Sequence, residues 1–258
     1  MKAFDLHRNV IENYKNYILS FLTVKDKRIE ERIKKAINEN EFIPDPLIQF
    51  NPSYKEIADL DKFIEKENLH KDLYRAFSGY KLYQHQAEAI RLGAQKKGFV
   101  VTSGTGSGKS LTYWATIFDY ILKQKENNVG VKAIIVYPMN ALINSQEVEF
   151  RKYADNYGSG FPITARKYTG QENAEERQQI KSNPPDIILT NYMMLELIMT
   201  RETESWMREN IKNHLRFLVF DELHTYRGRQ GSDVSFLIRR IRHQASNPLI
   251  CIGTSATM

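Results

Sequence analysis

The stretch from Gly98 to Ser110, Gly-Phe-Val-Val-Thr-Ser-Gly-Thr-Gly-Ser-Gly-Lys-Ser, constrains the fold more than any other part of the chain. Gly98 to Thr102 reads as a short buried strand, and Leu111 onward reads as a helix carrying Leu, Tyr, Trp, Ile, Phe and Leu. A glycine-rich bend with a lysine between such a strand and helix is the phosphate-binding arrangement. Its amides converge on a β-phosphate, the helix N-terminus adds its positive end, Lys109 reaches the β- and γ-phosphates, and the Ser110 hydroxyl is a Mg²⁺ ligand. The expected cradle is Ser103, Gly104, Thr105, Gly106, Ser107, Gly108, Lys109 and Ser110, with small Ser103 standing where a first glycine is usual.

The surrounding pattern fits that bend into a layered α/β fold. Strands are expected at residues 99–102, 132–137, 163–168, 186–189, 215–220 and 249–252, with helices near 83–94, 109–125, 141–155, 172–181, 191–200 and 231–244. Near-continuous apolar strands separated by amphipathic helices describe a parallel sheet covered on both faces. Before it, His7 to about Asn38 has helical periodicity. Three prolines follow between Pro44 and Pro52, and a second helical region ends near Leu73. Residues 1–75 are expected to form a mainly helical accessory segment, and 76–258 the nucleotide-binding domain.

Composition narrows the setting. The lone cysteine, Cys251, lies in an apolar run, which excludes a disulfide framework and a cysteine-based metal site. No stretch reaches the roughly 18 apolar residues of a membrane span, and the N-terminus has no apolar signal core, so a cytoplasmic protein with no membrane partner is expected. Residues 1–75 hold 14 Lys/Arg against 14 Asp/Glu, and residues 76–258 hold 23 against 17. The whole excess of +6 therefore falls on the part with the glycine-rich loop, which is compatible with a polyanionic partner and equally with ordinary solubility charge.

A phosphate loop needs an acidic element to complete a metal site, and the run Leu215–His224 supplies one. It delivers Asp221 and Glu222 to the C-terminal end of an expected central strand. Asp221 would hold Mg²⁺ through water, and Glu222 would orient or deprotonate the attacking water. Capping of the following helix is the structural alternative for the pair.

The ordered series LYQHQ (82–86), SGTGSGKS (103–110), YPMNALINSQ (137–146), YTG (168–170), ILTNYMMLE (188–196), DELH (221–224) and TSAT (254–257) resembles the first RecA-like domain of superfamily 2 DEAD/DEAH-type helicases. The continuation HTYRGRQGSDV is similar to the large Lhr, Hrq and YprA types that often carry a DUF1998 region and include repair and anti-phage defence enzymes. The resemblance covers residues 77–258 and implies an ATP-dependent helicase or translocase. It implies that Gln86 reads the adenine edge, with Tyr83 or Phe77 packing on the base. Pro138, Asn140, Ala141, Gln146, Thr169, Gly170, Thr190 and Asn191 would track the sugar-phosphate backbone of a single strand, with Arg227 nearby. Lys109, Asp221, Glu222 and His224 would be the catalytic set. Ser255, Ala256 and Thr257 would couple the two sites, a hydroxyl there bonding Asp221 or His224. Single-stranded or partly duplex DNA is the expected partner, with an RNA helicase, or a nucleotide-switched nucleic-acid-binding module without unwinding, as the alternatives. A second RecA-like domain of the same protein is expected to complete the cleft, with repair or defence proteins as further partners.

Overall fold

The computed structural model describes residues 3–43, 47, 54–57, 60–124 and 129–256. The chain divides into two compact units, residues 1–53 and 54–258. In the first, the helical periodicity of His7 to Asn38 is carried by two helices, α1 (Ala3–Phe21) and α2 (Lys27–Asn38). The break is local: the Asp26 side chain accepts from the Arg28 N–H at 2.9 Å, capping α2 and fixing its start.

The second unit begins with α3 (Leu60–Lys66) and α4 (Leu73–Ala76). It continues through α5 (Gln84–Ala94), β1 (Phe99–Thr102), α6 (Lys109–Lys123), β2 (Ala133–Tyr137), α7 (Asn140–Tyr157), β3 (Ala165–Lys167), α8 (Ala174–Ser182) and β4 (Ile187–Asn191). It ends with α9 (Tyr192–Thr200), α10 (Ser205–Asn213), β5 (Phe217–Phe220), α11 (Gly228–Gln244) and β6 (Ile250–Ser255). The sequence boundary near residue 75 falls inside this unit, because Phe63, Ile64, Leu69 and Leu73 are buried in one core with Leu111 and Ala115 of α6.

The six strands form one parallel sheet in the order β1-β6-β5-β2-β4-β3. Alternation along the strands supplies both faces with apolar side chains. Ala133, Ile135 and Tyr137 of β2 join the core under α5, α6 and α7, while Ile134 and Val136 join the core under α9, α10 and α11. The sheet is the α/β RecA-like arrangement, with the helical segment ahead of it. Every C-terminal strand end lies along one rim.

The close approach of α5 to α6 depends on Gly93. A Cβ there would lie 2.3 Å from Thr116 Cγ2, and Thr116 cannot swing away freely because its hydroxyl donates to the Thr112 carbonyl at 2.8 Å. Gly93→Ala is expected to cost about 1–2 kcal/mol of stability in chemical denaturation, the overpacking outweighing alanine's better helix propensity. Adding Thr116→Ala should restore most of the loss. A neutral or stabilising Gly93→Ala would show that the two helices have room to separate.

Candidate active site

The loop after β1 is held from several sides. Ser103 N–H donates to the Ser255 carbonyl at 3.2 Å, tying it to β6, and the Ser103 and Ser107 hydroxyls lie 2.6 Å apart across its base. Gly108 has φ +72° and caps α6, and any Cβ there would meet Gln86 Nε2 at 2.4 Å, so conformation and space both demand glycine. Lys109 is 7% exposed and turns its ammonium back into the loop, donating to the carbonyls of Ser103 (2.8 Å) and Gly104 (3.0 Å). Gly104, Thr105 and Gly106 form the exposed crest, and Ser110 lies half-buried in the first turn of α6. An ammonium whose hydrogen bonds go to neutral carbonyls, at a helix N-terminus and within electrostatic reach of Asp221, has the chemistry to receive a polyphosphate.

At the end of β5 the acidic pair takes two different environments. Asp221 is buried, accepts from the Thr254 hydroxyl, and receives the Glu222 N–H at 3.1 Å, which also reaches Thr254 Oγ1 at 3.2 Å. Burial pushes the Asp221 carboxyl above its ordinary value; the Thr254 hydrogen bond works against this, and the Glu222 charge adds to it. Glu222 adopts the left-handed conformation, φ 52°. Its Oε2 is buried without a hydrogen bond and lies 3.2 Å from His224 Nδ1, an ion-pair distance at a poor hydrogen-bond angle. Among the described residues, no cluster of three or more His, Cys, Asp or Glu could hold a metal alone. Ser110 and Asp221 suit Mg²⁺, which binds through one or two protein oxygens, waters and substrate phosphates rather than an all-protein cage.

Further along the rim, at the ends of β2 and β4, lies a polar surface. Asn191 caps α9 by accepting from the Met194 N–H at 2.8 Å and donates to Asn140 Oδ1 at 2.9 Å, joining the starts of α7 and α9. Beside Asn140 opens a cleft of about 650 Å³, lined among others by Asn144, Arg166, Lys167, Thr169 and Glu172. The Glu172 carboxylate fills the turn above β3, accepting from Thr169 N–H (2.9 Å), the Thr169 hydroxyl (2.8 Å) and Gly170 N–H (2.8 Å). Burial opposes its ionisation, yet these hydrogen bonds outweigh burial and hold its carboxyl below the usual range. Arg177 separately fixes the same turn through the Gly170 and Glu172 carbonyls.

A model of the DEAD/DEAH box helicase family matches residues 83–258. The chain belongs to that family. An ATP-dependent helicase of Methanocaldococcus jannaschii is 31% identical over 190 residues, 70% of this chain and 26% of the relative. The Druantia protein DruE of Escherichia coli is 23% identical in an alignment covering 98% of this chain and 20% of the relative. Among solved structures, the DUF1998 helicase MrfA bound to DNA and AMPPNP superposes with a TM-score of 0.66 at 26% identity, covering 86% of this chain and 30% of that one. The chain thus spans about a quarter of the length of the curated relatives it matches. Among the described residues no helix is long and apolar enough to cross a membrane.

Several side chains of this helicase domain stand elsewhere than the family resemblance implies. Phe77 is core: it is 3% exposed, stacked on Phe118 at 5.7 Å and packed against Tyr153, so it offers no face to a base. Gln86 is likewise buried. Its Oε1 accepts from Tyr83 N–H at 2.8 Å and its Nε2 donates to the Gly108 carbonyl at 2.8 Å, so the amide clamps the phosphate loop to α5. Thr190 is fully buried and its hydroxyl serves the Tyr168 carbonyl at 2.6 Å. Gln146 turns inward, its Oε1 taking the Trp114 indole N–H at 3.1 Å. Thr254, not Ser255, gives Asp221 its hydroxyl, because strand alternation turns neighbouring side chains to opposite faces. Thr257 lies outside the described residues. Pro138 is half-buried and Ala141 exposed at the start of α7, Ala256 follows β6 half-buried, and exposed Arg227 donates Nε–H to the His224 carbonyl at 2.8 Å.

Two aromatic groups at the loop have no counterpart among the expected residues. Tyr54 packs against Tyr83 (5.3 Å between centroids) and His85 (5.1 Å), and a Cβ on Gly104 would lie 3.2 Å from the Tyr54 hydroxyl. His85 Nε2 lies 3.2 Å from the Ser107 carbonyl. Tyr54 is 49 residues upstream of the loop's first residue, so no local pattern reveals it.

Proposed function

We propose that this domain binds Mg·ATP on the loop Ser103–Ser110 and, with a second RecA-like domain, couples hydrolysis to movement along single-stranded DNA. The convergence of Lys109, Asp221 and Glu222 at one rim of the sheet, beside the Asn140–Asn191 surface, carries this reading. Ser110 and, through water, Asp221 would hold Mg²⁺, which would supply neutralisation of charge on the phosphates. Lys109 exchanges its two loop carbonyls for phosphate oxygens, and the loop amides orient the chain of phosphates. Glu222, acidic and without a hydrogen bond at Oε2, orients or accepts a proton from the attacking water. Tyr54, Tyr83 and His85 offer the base an aromatic surface beside the loop, taking the place proposed for Phe77.

The second site is backbone-directed. Side-chain amides at the strand ends, as at Asn140 and Asn191, would contact phosphate and sugar rather than base edges, which gives little sequence preference. DNA is favoured because the similar MrfA structure is a DNA complex. The test is phosphate release by the full-length protein with single-stranded DNA, with RNA of the same sequence, and with neither. Stimulation by DNA is expected, falling steeply with added salt as counterion release requires. Residues 1–258 alone are expected to show negligible stimulation, since an arginine donated from an opposing domain is worth roughly 10³–10⁵ in rate in related enzymes. Stimulation by RNA alone would reassign the substrate, and strong stimulation of the short chain would overturn the requirement for the second domain.

A further inference from the structure

Between the acidic pair and the polar surface lies a buried hydroxyl that neither site uses. Tyr113 is fully buried in α6, one turn beyond Ser110 and on the same helix face. Its Oη lies 3.2 Å from Tyr137 Oη, 3.3 Å from Gln146 Oε1 and 3.5 Å from Asp221 Oδ2. These partners come from three other places in the fold: the end of β2, the second turn of α7 and the end of β5. Burial, with Tyr137 and Asp221 alongside, holds the Tyr113 phenol well above its usual value, and burial does the same for Tyr137. Both phenols therefore keep their protons.

The Ser110 side chain also hydrogen-bonds the Tyr113 phenol and opposes the rise that burial causes. The count of hydrogens then matters. Tyr113 has one proton to give, with the Tyr137 hydroxyl, Gln146 Oε1 and Asp221 Oδ2 within reach to accept it. Given to Asp221, it is withheld from Gln146; given to Gln146, it leaves Asp221 Oδ2 for another donor. Asp221 Oδ1 is already served by Thr254 and the Glu222 N–H, so Oδ2 is the oxygen whose partner can change. Gln146 Oε1 keeps the Trp114 indole in either state, so α7 stays attached to α6 while its second tie is made or lost. Asn140, at the start of α7, carries the link to Asn191.

We propose that Tyr113 is the positioning residue through which a donor arriving at Asp221, such as a metal-bound water, is felt by Gln146 and thereby by the strand-facing start of α7. The inference rests on the proposed function, since it needs a nucleotide at one end and a strand at the other. The exchange is a rotation of one O–H bond. It breaks one hydrogen bond and makes another, with no proton leaving the phenol.

Tyr113→Phe keeps the ring and removes the hydroxyl, so the core stays filled. The measurement is fluorescence anisotropy of a labelled single-stranded DNA bound to the full-length protein, with and without Mg·AMPPNP. In wild type the nucleotide should change DNA affinity by about 5-fold or more, within the usual range of coupling between sites. In Tyr113→Phe that ratio should approach one, while Mg·AMPPNP affinity without DNA stays within about 3-fold by calorimetry. Gln146→Leu should lose the coupling in the same way. Tyr137→Phe should retain it, because the Tyr137 hydroxyl hydrogen-bonds Tyr113 and its removal leaves the Tyr113–Gln146 and Tyr113–Asp221 contacts in place. Wild-type coupling in Tyr113→Phe overturns the inference, as does equal loss in Tyr137→Phe, which would mark a packing effect. DNA binding by wild type with no nucleotide effect also overturns it. Failure of wild type to bind DNA or Mg·AMPPNP at all overturns the proposed function itself.

Discussion

Replacing Lys109 with alanine is expected to weaken Mg·ATP binding by about 100-fold or more, read by calorimetric titration, while the domain stays folded. The ammonium is nearly buried, and in this structure its partners are two neutral carbonyls of its own loop. Exchanging them for phosphate oxygens replaces neutral acceptors with charged ones and adds the Coulomb attraction of an ammonium for an anion in a site largely shielded from water. The loop itself loses little on substitution, because its shape rests on the Ser103–Ser107 hydroxyls, the Ser255 carbonyl and the Gln86 clamp. Equal affinity in the two proteins would remove the loop from the nucleotide site.

Glu222→Gln in the full-length enzyme is expected to lower turnover by about 10²–10⁴-fold with Mg·ATP affinity changed only a few-fold. Glutamine has the same shape and tolerates the same backbone, so what disappears is the carboxylate. The site has gone to some lengths to hold that residue. A non-glycine side chain in the left-handed region costs about 1–2 kcal/mol. Here the conformation is held because the Glu222 N–H is shared by Asp221 and Thr254 while its carbonyl accepts from the Thr225 N–H (2.9 Å) and hydroxyl (2.8 Å). Steady-state turnover near the wild-type rate would deny Glu222 its part in the reaction, whatever the fate of binding.

The elements that sequence patterning identifies are those whose own residues suffice to specify them. Ile134–Tyr137 and Phe217–Phe220 are short unbroken apolar runs rich in β-branched and aromatic residues, the pattern of strands buried on both faces. Helix α10 was not expected, because Met207 and Ile211 are its buried apolar contacts and two residues four apart make a weak signal. Helix α11 starts at Gly228, three residues before the expected start, in a segment with no apolar residue to mark it. For the candidate site the divide is similar. The phosphate loop and the acidic pair are contiguous in sequence and so can be read directly. Whether Phe77 meets a base or the Phe118 ring depends on how α4 sits against α6, and whether Gln146 faces out or meets Trp114 depends on the rotation of α7. Those are properties of packed elements, and one-dimensional patterns do not contain them.

The strand order also has an electrostatic consequence. From β1, which carries the phosphate loop, the sheet runs through β6 and β5 to β2, three spacings of about 4.8 Å, or about 14 Å in all. A triphosphate above β1 and a strand of phosphodiesters above β2 and β4 would be two anions on one rim, less than two screening lengths apart at about 8 Å each. Their direct influence on one another is repulsive. Any mutual strengthening of the two ligands must therefore overcome this unfavourable background through a change in the protein, and raising the ionic strength should weaken the strand's own grip on the rim while easing the penalty between the two.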